Sequence, residues 1–286
     1  MLKKRKKKVS TKKITRPSIL KKPINTSSSK SSDLPAWLMM LYGTVGIGKT
    51  SFASHFTDPG FIITKRERGI KTLTGYGITQ APKQLWVVES WPEVLETIDN
   101  VCKSKIQTLV IDSITVLEHL CFDYHCKEYF DDDWTKTGWG NYQAGPRNAK
   151  EKEWPTFMAL LQEVVESNIN VLILAHAMKT KVQDPLTAEY DQWQPQLNRY
   201  TWEAIHTELE AILFYREHLE VEVTTARDKK NKVKRDSGDR YIYTDKDPAY
   251  IAKNWFGLPA AIDAGESAEE AHTNFMKAMR GCYKHE

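Results

Sequence analysis

The sequence predicts an α/β fold: a mostly parallel sheet with helices on both faces, followed by antiparallel hairpins near the C-terminus. Three observations predict it. The octapeptide Gly43-Thr44-Val45-Gly46-Ile47-Gly48-Lys49-Thr50 spells G-x-x-x-x-G-K-[ST], a phosphate-cradling P-loop pattern that belongs between a strand and a helix. Short apolar runs then alternate with helix-length segments, as strands buried on both faces do. The last third changes to short strands that alternate with period two, the mark of half-exposed antiparallel pairs.

The elements follow in order. Residues 37–42 (WLMMLY) read as a buried strand entering the P-loop, and residues 51–56 continue beyond it as a helix. Residues 60–64 and 85–88 are a second and a third strand, and Trp91-Pro92 opens a helix running to Asn100. Residues 108–112 are a fourth strand, leading into a helix over 113–130. Residues 131–146 are polar, aromatic and glycine-containing, so they read as a loop. A helix over 154–167 leads to a fifth apolar strand at 170–175, and a long loop spans 177–200. Short strands at 211–215, 219–225 and 240–243 surround a basic hairpin tip at 227–235, and a helix covers 268–283.

Composition bounds the function classes. The 286 residues are 41% apolar and 27% charged, ordinary for a globular chain. No run approaches the roughly eighteen apolar residues of a membrane span, and no apolar segment follows the basic start as in a signal peptide. The expectation is a cytoplasmic chain with no membrane partner. Four scattered cysteines suit a reducing compartment. The net charge of +4 hides an asymmetry. Residues 1–33 carry twelve Lys or Arg and one acidic residue, a balance of +11, and the remainder carries 29 basic and 36 acidic residues, a balance of −7. This basic tail has no hydrophobic period and is expected to be disordered. It suits nucleic-acid binding by counterion release, a solubilising extension, or an import-like signal.

The chemistry-bearing positions cluster at strand ends. The P-loop glycines let backbone amides converge on one anion, Lys49 reaches the β- and γ-phosphates, and the Thr50 hydroxyl suits Mg²⁺. Residues Gly43 to Ser51 are therefore the expected nucleotide contacts, with ATP and Mg²⁺ as cofactors. Asp112 ends the fourth strand, where a carboxylate beside a P-loop supports the metal; its alternative is a cap for the next helix. Glu67 is the candidate to orient attacking water, although Lys65, Arg66 and Arg68 surround it and suit a surface ion pair as well. His176 ends the fifth strand and is placed to sense the γ-phosphate, or else is a hydrogen-bonded core histidine. Lys179, Lys181, Trp193 and Arg199 interleave cations with aromatics, as single-stranded nucleic acid requires. Lys229, Lys230 and Lys232 add a basic tip to that surface. Trp134, Trp139 and Tyr142 pose the same choice between base stacking and docking on the body. His119, Cys121, His125 and Cys126 do not converge on a helix as zinc ligands would and read as core.

The order P-loop, Val110-Ile111-Asp112-Ser113, Leu172 to His176, Asp184-Pro185, then Tyr190 to Leu197, resembles the RecA-like ATP-binding proteins of bacteriophages. That group includes the phage single-strand annealing proteins of the Sak class. The later Tyr241-Ile242-Tyr243-Thr244 and Ala252 to Pro259 are similar to that family's ending, so the resemblance covers roughly residues 35–262. It implies a RecA-like ATPase domain over 34–262, between the tail at 1–33 and a C-terminal helix at 263–286. It further implies ATP hydrolysis, single-stranded DNA binding, a role in recombination, annealing or replication, and a homo-oligomeric ring or filament. A single-strand-binding protein would be a natural partner. In such an assembly Lys253 is the candidate cation for a neighbour's γ-phosphate; the family's arginine is replaced by Trp255. The open alternatives are a helicase or helicase loader, a nucleotide-gated DNA-binding protein with negligible turnover, and a kinase-like transferase.

Overall fold

The computed structural model describes residues 34–79, 81–183, 188–218 and 238–283, with the backbone of two short strands at 220–222 and 232–234. The strands are β1 (Leu38–Gly43), β2 (Pro59–Thr64), β3 (Gln84–Val88), β4 (Thr108–Asp112), β5 (Asn170–Val182), β6 (Tyr190–Pro195), β7 (Ala211–Glu217), β8 (Glu220–Glu222), β9 (Lys232–Lys234), β10 (Arg240–Tyr243), β11 (Lys253–Asn254) and β12 (Ala261–Asp263). The helices are α1 (Lys49–Ser54), α2 (Gly69–Gly75), α3 (Trp91–Val101), α4 (Ile114–Tyr129), α5 (Ala144–Lys152), α6 (Trp154–Glu166), α7 (Arg199–Ile205) and α8 (Ala268–Cys282). One sheet runs in the order β12-β10-β7-β1-β5-β4-β2-β3, with β11 attached to β7 and β6 to β5. The strands from β7 to β3 are parallel. β10, β11 and β12 add antiparallel pairs at one edge, while β8 and β9 pair with each other. The predicted α/β class and its antiparallel ending are the observed ones.

The central strands β1, β2, β4, β7 and the first half of β5 are buried on both faces, which explains their apolar runs, whereas the edge strand β3 is only partly covered. Along β1, Leu38, Met40 and Tyr42 point into one core with Trp91 of α3 and Trp154 and Phe157 of α6. Met39 and Leu41 point into the other, with Phe52 of α1 and Phe275 of α8. Period-two alternation thus divides one apolar strand between two cores. Each fully buried aromatic adds about 2–3 kcal/mol relative to exposure. α3 carries Pro92 in its first turn, where the missing amide costs no hydrogen bond.

Three expectations are corrected. Residues 131–146 are not all loop, because α5 begins at Ala144 and carries Pro146 in its first turn, where proline costs no hydrogen bond. Residues 177–200 are not a long loop. β5 continues past the apolar run, and β6 returns along it with Lys179 opposite Trp193 and Ala177 opposite Pro195. Polar cross-strand pairs such as Thr180 and Gln192 hold this hairpin, so no hydrophobic period marked it. α7 then starts at Asn198, whose side chain accepts the Tyr200 amide. As a result His176 lies inside β5 rather than at its end. The tail at 1–33 lies outside the described residues. Among the described residues no helix is long and apolar enough to cross a membrane.

One buried hydroxyl ties the P-loop strand to the chain's later turns. Tyr42 Oη donates to the Ile251 carbonyl at 2.7 Å, with the Trp193 carbonyl at 3.2 Å, and accepts the Ile251 amide at 3.1 Å. Burial pushes the phenol far above its ordinary pKa. Tyr42→Phe removes the donor to the Ile251 carbonyl, while the Ile251 amide and the Trp193 carbonyl keep each other at 3.0 Å. It should lower stability by about 1–3 kcal/mol, read as a fall in the urea midpoint with an unchanged m-value.

Candidate functional site

The P-loop begins at Gly43, and its register places that residue between two strands. Gly43 lies opposite His176 of β5 on one side and Tyr215 of β7 on the other. A Cβ on Gly43 would sit 2.3 Å from the Tyr215 carbonyl oxygen, so only glycine lets β7 approach this closely. Gly46 and Gly48 take φ values of +83° and +106°, the left-handed region that glycine enters without strain. These turns curl the backbone into a concave nest suited to an anion. Lys49 Nζ donates to the Gly43 and Thr44 carbonyls, at 2.9 Å each. Its ammonium is pushed down to about 8 because burial outweighs the attraction of Asp112 and Glu67. The cradle therefore fits a polyphosphate whose charge would restore that ammonium.

Thr50 and Asp112 meet beside it. Thr50 Oγ1 donates to Asp112 Oδ2 at 2.8 Å. Burial pushes the Asp112 carboxyl up to about 6, against the Thr50 hydrogen bond, with Glu67 adding repulsion. Two adjacent hard oxygens, one on a carboxylate whose ionisation is penalised by burial, fit a divalent cation such as Mg²⁺.

Glu67 reaches the same mouth by a turn. Its amide donates to the Thr64 carbonyl at 3.1 Å, folding the chain back after β2. Glu67 Oε1 accepts from Ser113 Oγ at 3.0 Å and lies 3.5 Å from His176 Nε2. The His176 contact, more than any other, holds this carboxyl below its usual range, against burial and with help from Ser113. The surface ion pair expected of this segment forms elsewhere: Lys65 pairs with Glu89. His176 itself is tied on both backbone sides. Its amide donates to Thr115 Oγ1 at 3.0 Å, and its carbonyl accepts the Gln196 amide at 2.8 Å, closing the base of the β5–β6 hairpin.

The remaining positions divide. Lys179, Lys181 and Trp193 share that hairpin; Lys179 Nζ lies 5.0 Å from the Trp193 ring centre, and Lys181 pairs with Glu189 at 3.3 Å. Arg199 stands at the first turn of α7, stacked on Tyr200 at 4.5 Å. Lys229 and Lys230 lie outside the described residues, and Lys232 opens β9. Lys253 pairs with Ile212, whose other neighbour is Met40, three residues short of Gly43. At about 3.3 Å per residue it sits roughly 10 Å down the sheet from its own P-loop and cannot serve that loop. Trp139 docks on Phe122, Phe130 and Trp134. His125 is buried with its ring nitrogens 2.8 Å from Glu153 Oε1 and 2.9 Å from Asn148 Oδ1, a core histidine. Sequence reasoning missed the roles of Ser113, Thr115 and Arg216, the last lying 5.8 Å from the Trp193 ring centre. Ser113 follows Asp112 directly, so its position at the strand end was the available signal.

A family model described as an AAA domain matches residues 36–256. No curated protein matches the chain. Among solved structures it is similar to the KaiC-like protein PH0186 from the hyperthermophilic archaeon Pyrococcus horikoshii OT3. The identity is 17% and the TM-score 0.37, over 72% of this chain and 78% of that one. The likeness is distant, and the fold rests on the sheet itself.

The Asp112 carboxyl makes stability depend on pH with a definite sign. Its native pKa of about 6 stands above the ordinary 3.8, so the folded chain holds the proton longer than the unfolded one. Stability should therefore fall as pH rises from about 4 to 6 and level off above, by on the order of 3 kcal/mol. Glu67 has the opposite shift and acts below its ordinary 4.5. Asp112→Asn should flatten the 4-to-6 window in urea titrations of the ligand-free protein; an unchanged slope would remove Asp112 as the cause.

Proposed function

The chain belongs to the AAA domain family, and we propose that it is a Mg²⁺-dependent ATPase acting on single-stranded DNA in phage-type recombination, annealing or replication. The observation that carries the reading is the junction at His176. Its ring faces Glu67 at the phosphate end of the P-loop, while its carbonyl anchors the hairpin bearing Lys179, Lys181 and Trp193. One residue thus touches both a candidate hydrolytic group and a candidate DNA surface.

Each residue has a defined task. The P-loop amides cradle the β-phosphate, and Lys49 exchanges its two carbonyl partners for phosphate oxygens. Thr50 and Asp112 would hold Mg²⁺, which when bound neutralises charge on the phosphates. Glu67 stays ionised, so it accepts a hydrogen bond from the attacking water and aligns it on the γ-phosphorus. Ser113 fixes one carboxylate oxygen. Loss of the γ-phosphate alters what faces the His176 ring, and the strand it belongs to carries that change into the hairpin. There, Trp193 is half-buried against Phe214, and its remaining face, beside Lys179 and Arg216, is the candidate stacking surface. Assembly of several subunits would give Lys253 the neighbour's γ-phosphate that its position denies it in its own chain.

Glu67→Gln should keep ATP affinity and lower steady-state phosphate release by about 10²-fold or more, whereas Lys49→Ala should lose ATP binding. Full-rate hydrolysis by Glu67→Gln would end the assignment of Glu67. Phosphate release should rise with single-stranded DNA and less with duplex, and Trp193→Ala should weaken that stimulation. Stimulation that vanishes only when residues 1–33 are removed would place the DNA contact in the tail and not in the hairpin. Strand displacement of a duplex would instead favour a helicase.

A further inference from the structure

The two sides of β1 are chemically different, and this gives the bound nucleotide a direction. On the β5 and β4 side stand Asp112, Glu67 and His176, the groups assigned above to the γ-phosphate end. On the other side lie β7 and β10. A triphosphate that lays its γ end toward Glu67 must run its nucleoside end toward β7 and β10.

Arg240 waits on that side. It opens β10, two residues before Ile242, which points into the same core as Tyr215 and the α1 residue Phe52. Period two puts Arg240 on that face, the P-loop's own. Apart from the loop's own adjoining residues, Arg240 Nη1 is the atom nearest to the point a Cβ on Gly48 would occupy, 3.8 Å away, and Tyr215 Oη is next at 4.0 Å. The guanidinium is already held in place. Nε and Nη2 both donate to the Gly265 carbonyl, at 3.2 and 2.9 Å, and the Arg240 carbonyl accepts the Ala264 amide at 2.8 Å. The Tyr215 hydroxyl is buried and has no hydrogen-bond partner among the described residues, a state that normally signals a missing polar partner.

We infer that Arg240 is a nucleotide-binding residue that grips the α-phosphate from the β10 side of the P-loop, within the chain that supplies the loop. The inference rests on the ATP-binding reading above. Arg240 is distinct from the γ-phosphate group because it lies across β1 from Glu67 and His176. Its fork is fixed before the ligand arrives, so little side-chain entropy is lost on binding. A guanidinium on the α-phosphate contributes equally to di- and triphosphates, because both carry that group.

Titration of the full chain with Mg²⁺-ATP and with Mg²⁺-ADP, followed by calorimetry, tests it. Arg240→Ala should weaken both nucleotides by a similar factor, about 10- to 100-fold. Arg240→Lys keeps the charge without the fork and should lose less, again equally for both. It also serves if Arg240→Ala fails to fold once the Gly265 anchor is gone. Wild-type affinity in these variants would overturn the inference and leave the P-loop reading intact. A loss confined to ATP would overturn it too, by moving Arg240 to the γ-phosphate. A wild-type chain that binds neither nucleotide would overturn the underlying reading, and this inference with it.

Discussion

β1 enters the P-loop wedged between two parallel neighbours, with its last residue held against both. Gly43 faces His176 on one side and Tyr215 on the other, and β7 comes so close that a methyl group there would overlap the Tyr215 carbonyl. Everything functional is positioned from that point. The loop beyond Gly43 must curl over the sheet edge, Lys49 and Thr50 must follow on α1, and the side chains that meet the loop must come from β4, β5 and the turn after β2. The position at which β1 crosses from sheet to loop is fixed by main-chain ladders on both sides.

Electrostatics sets the second constraint. Lys49 and Asp112 are both buried and both pushed toward their neutral forms, the one down to about 8 and the other up to about 6. Each makes do with a neutral partner: Lys49 with loop carbonyls, Asp112 with the Thr50 hydroxyl. A phosphate chain and a cation would supply the missing charge to each. The ligand-free fold thus carries a cost that binding relieves, and ligand binding should stabilise the chain by ordinary mass action. Glu67 is the exception, held ionised by His176 and Ser113, which suits a group that must accept a hydrogen bond from water.

The legible parts of this molecule were those written in apolar periodicity or in a short motif. β1 to β5, α3, α4, α6 and α8 all came from runs that two cores demand. The P-loop came from its motif and Asp112 from its strand-end position, whereas His176, read as a strand end, lies within β5. What the sequence hid was held by other forces. The β5–β6 hairpin depends on polar cross-strand pairs, so it read as loop. α5 begins amid glycine, proline and polar residues whose signals are those of a turn. Glu67 stood three residues beyond a strand end, and only the Thr64 turn returns it to the site. Arg240 and Tyr215 reach the loop through sheet order, a long-range property that no local pattern encodes.

The proposed site has a direction: a nucleotide crosses Gly43 with its γ-phosphate toward Glu67 and His176 and its nucleoside toward β7 and β10. A crystal structure of the chain with Mg²⁺ and a non-hydrolysable ATP analogue measures that direction. The expected structure has the metal on Thr50 and Asp112, the terminal phosphate between Lys49 and Glu67, and the ribose on the Arg240 side. A nucleoside lying over β4, or a triphosphate seated outside the Gly43–Thr50 loop, would contradict it.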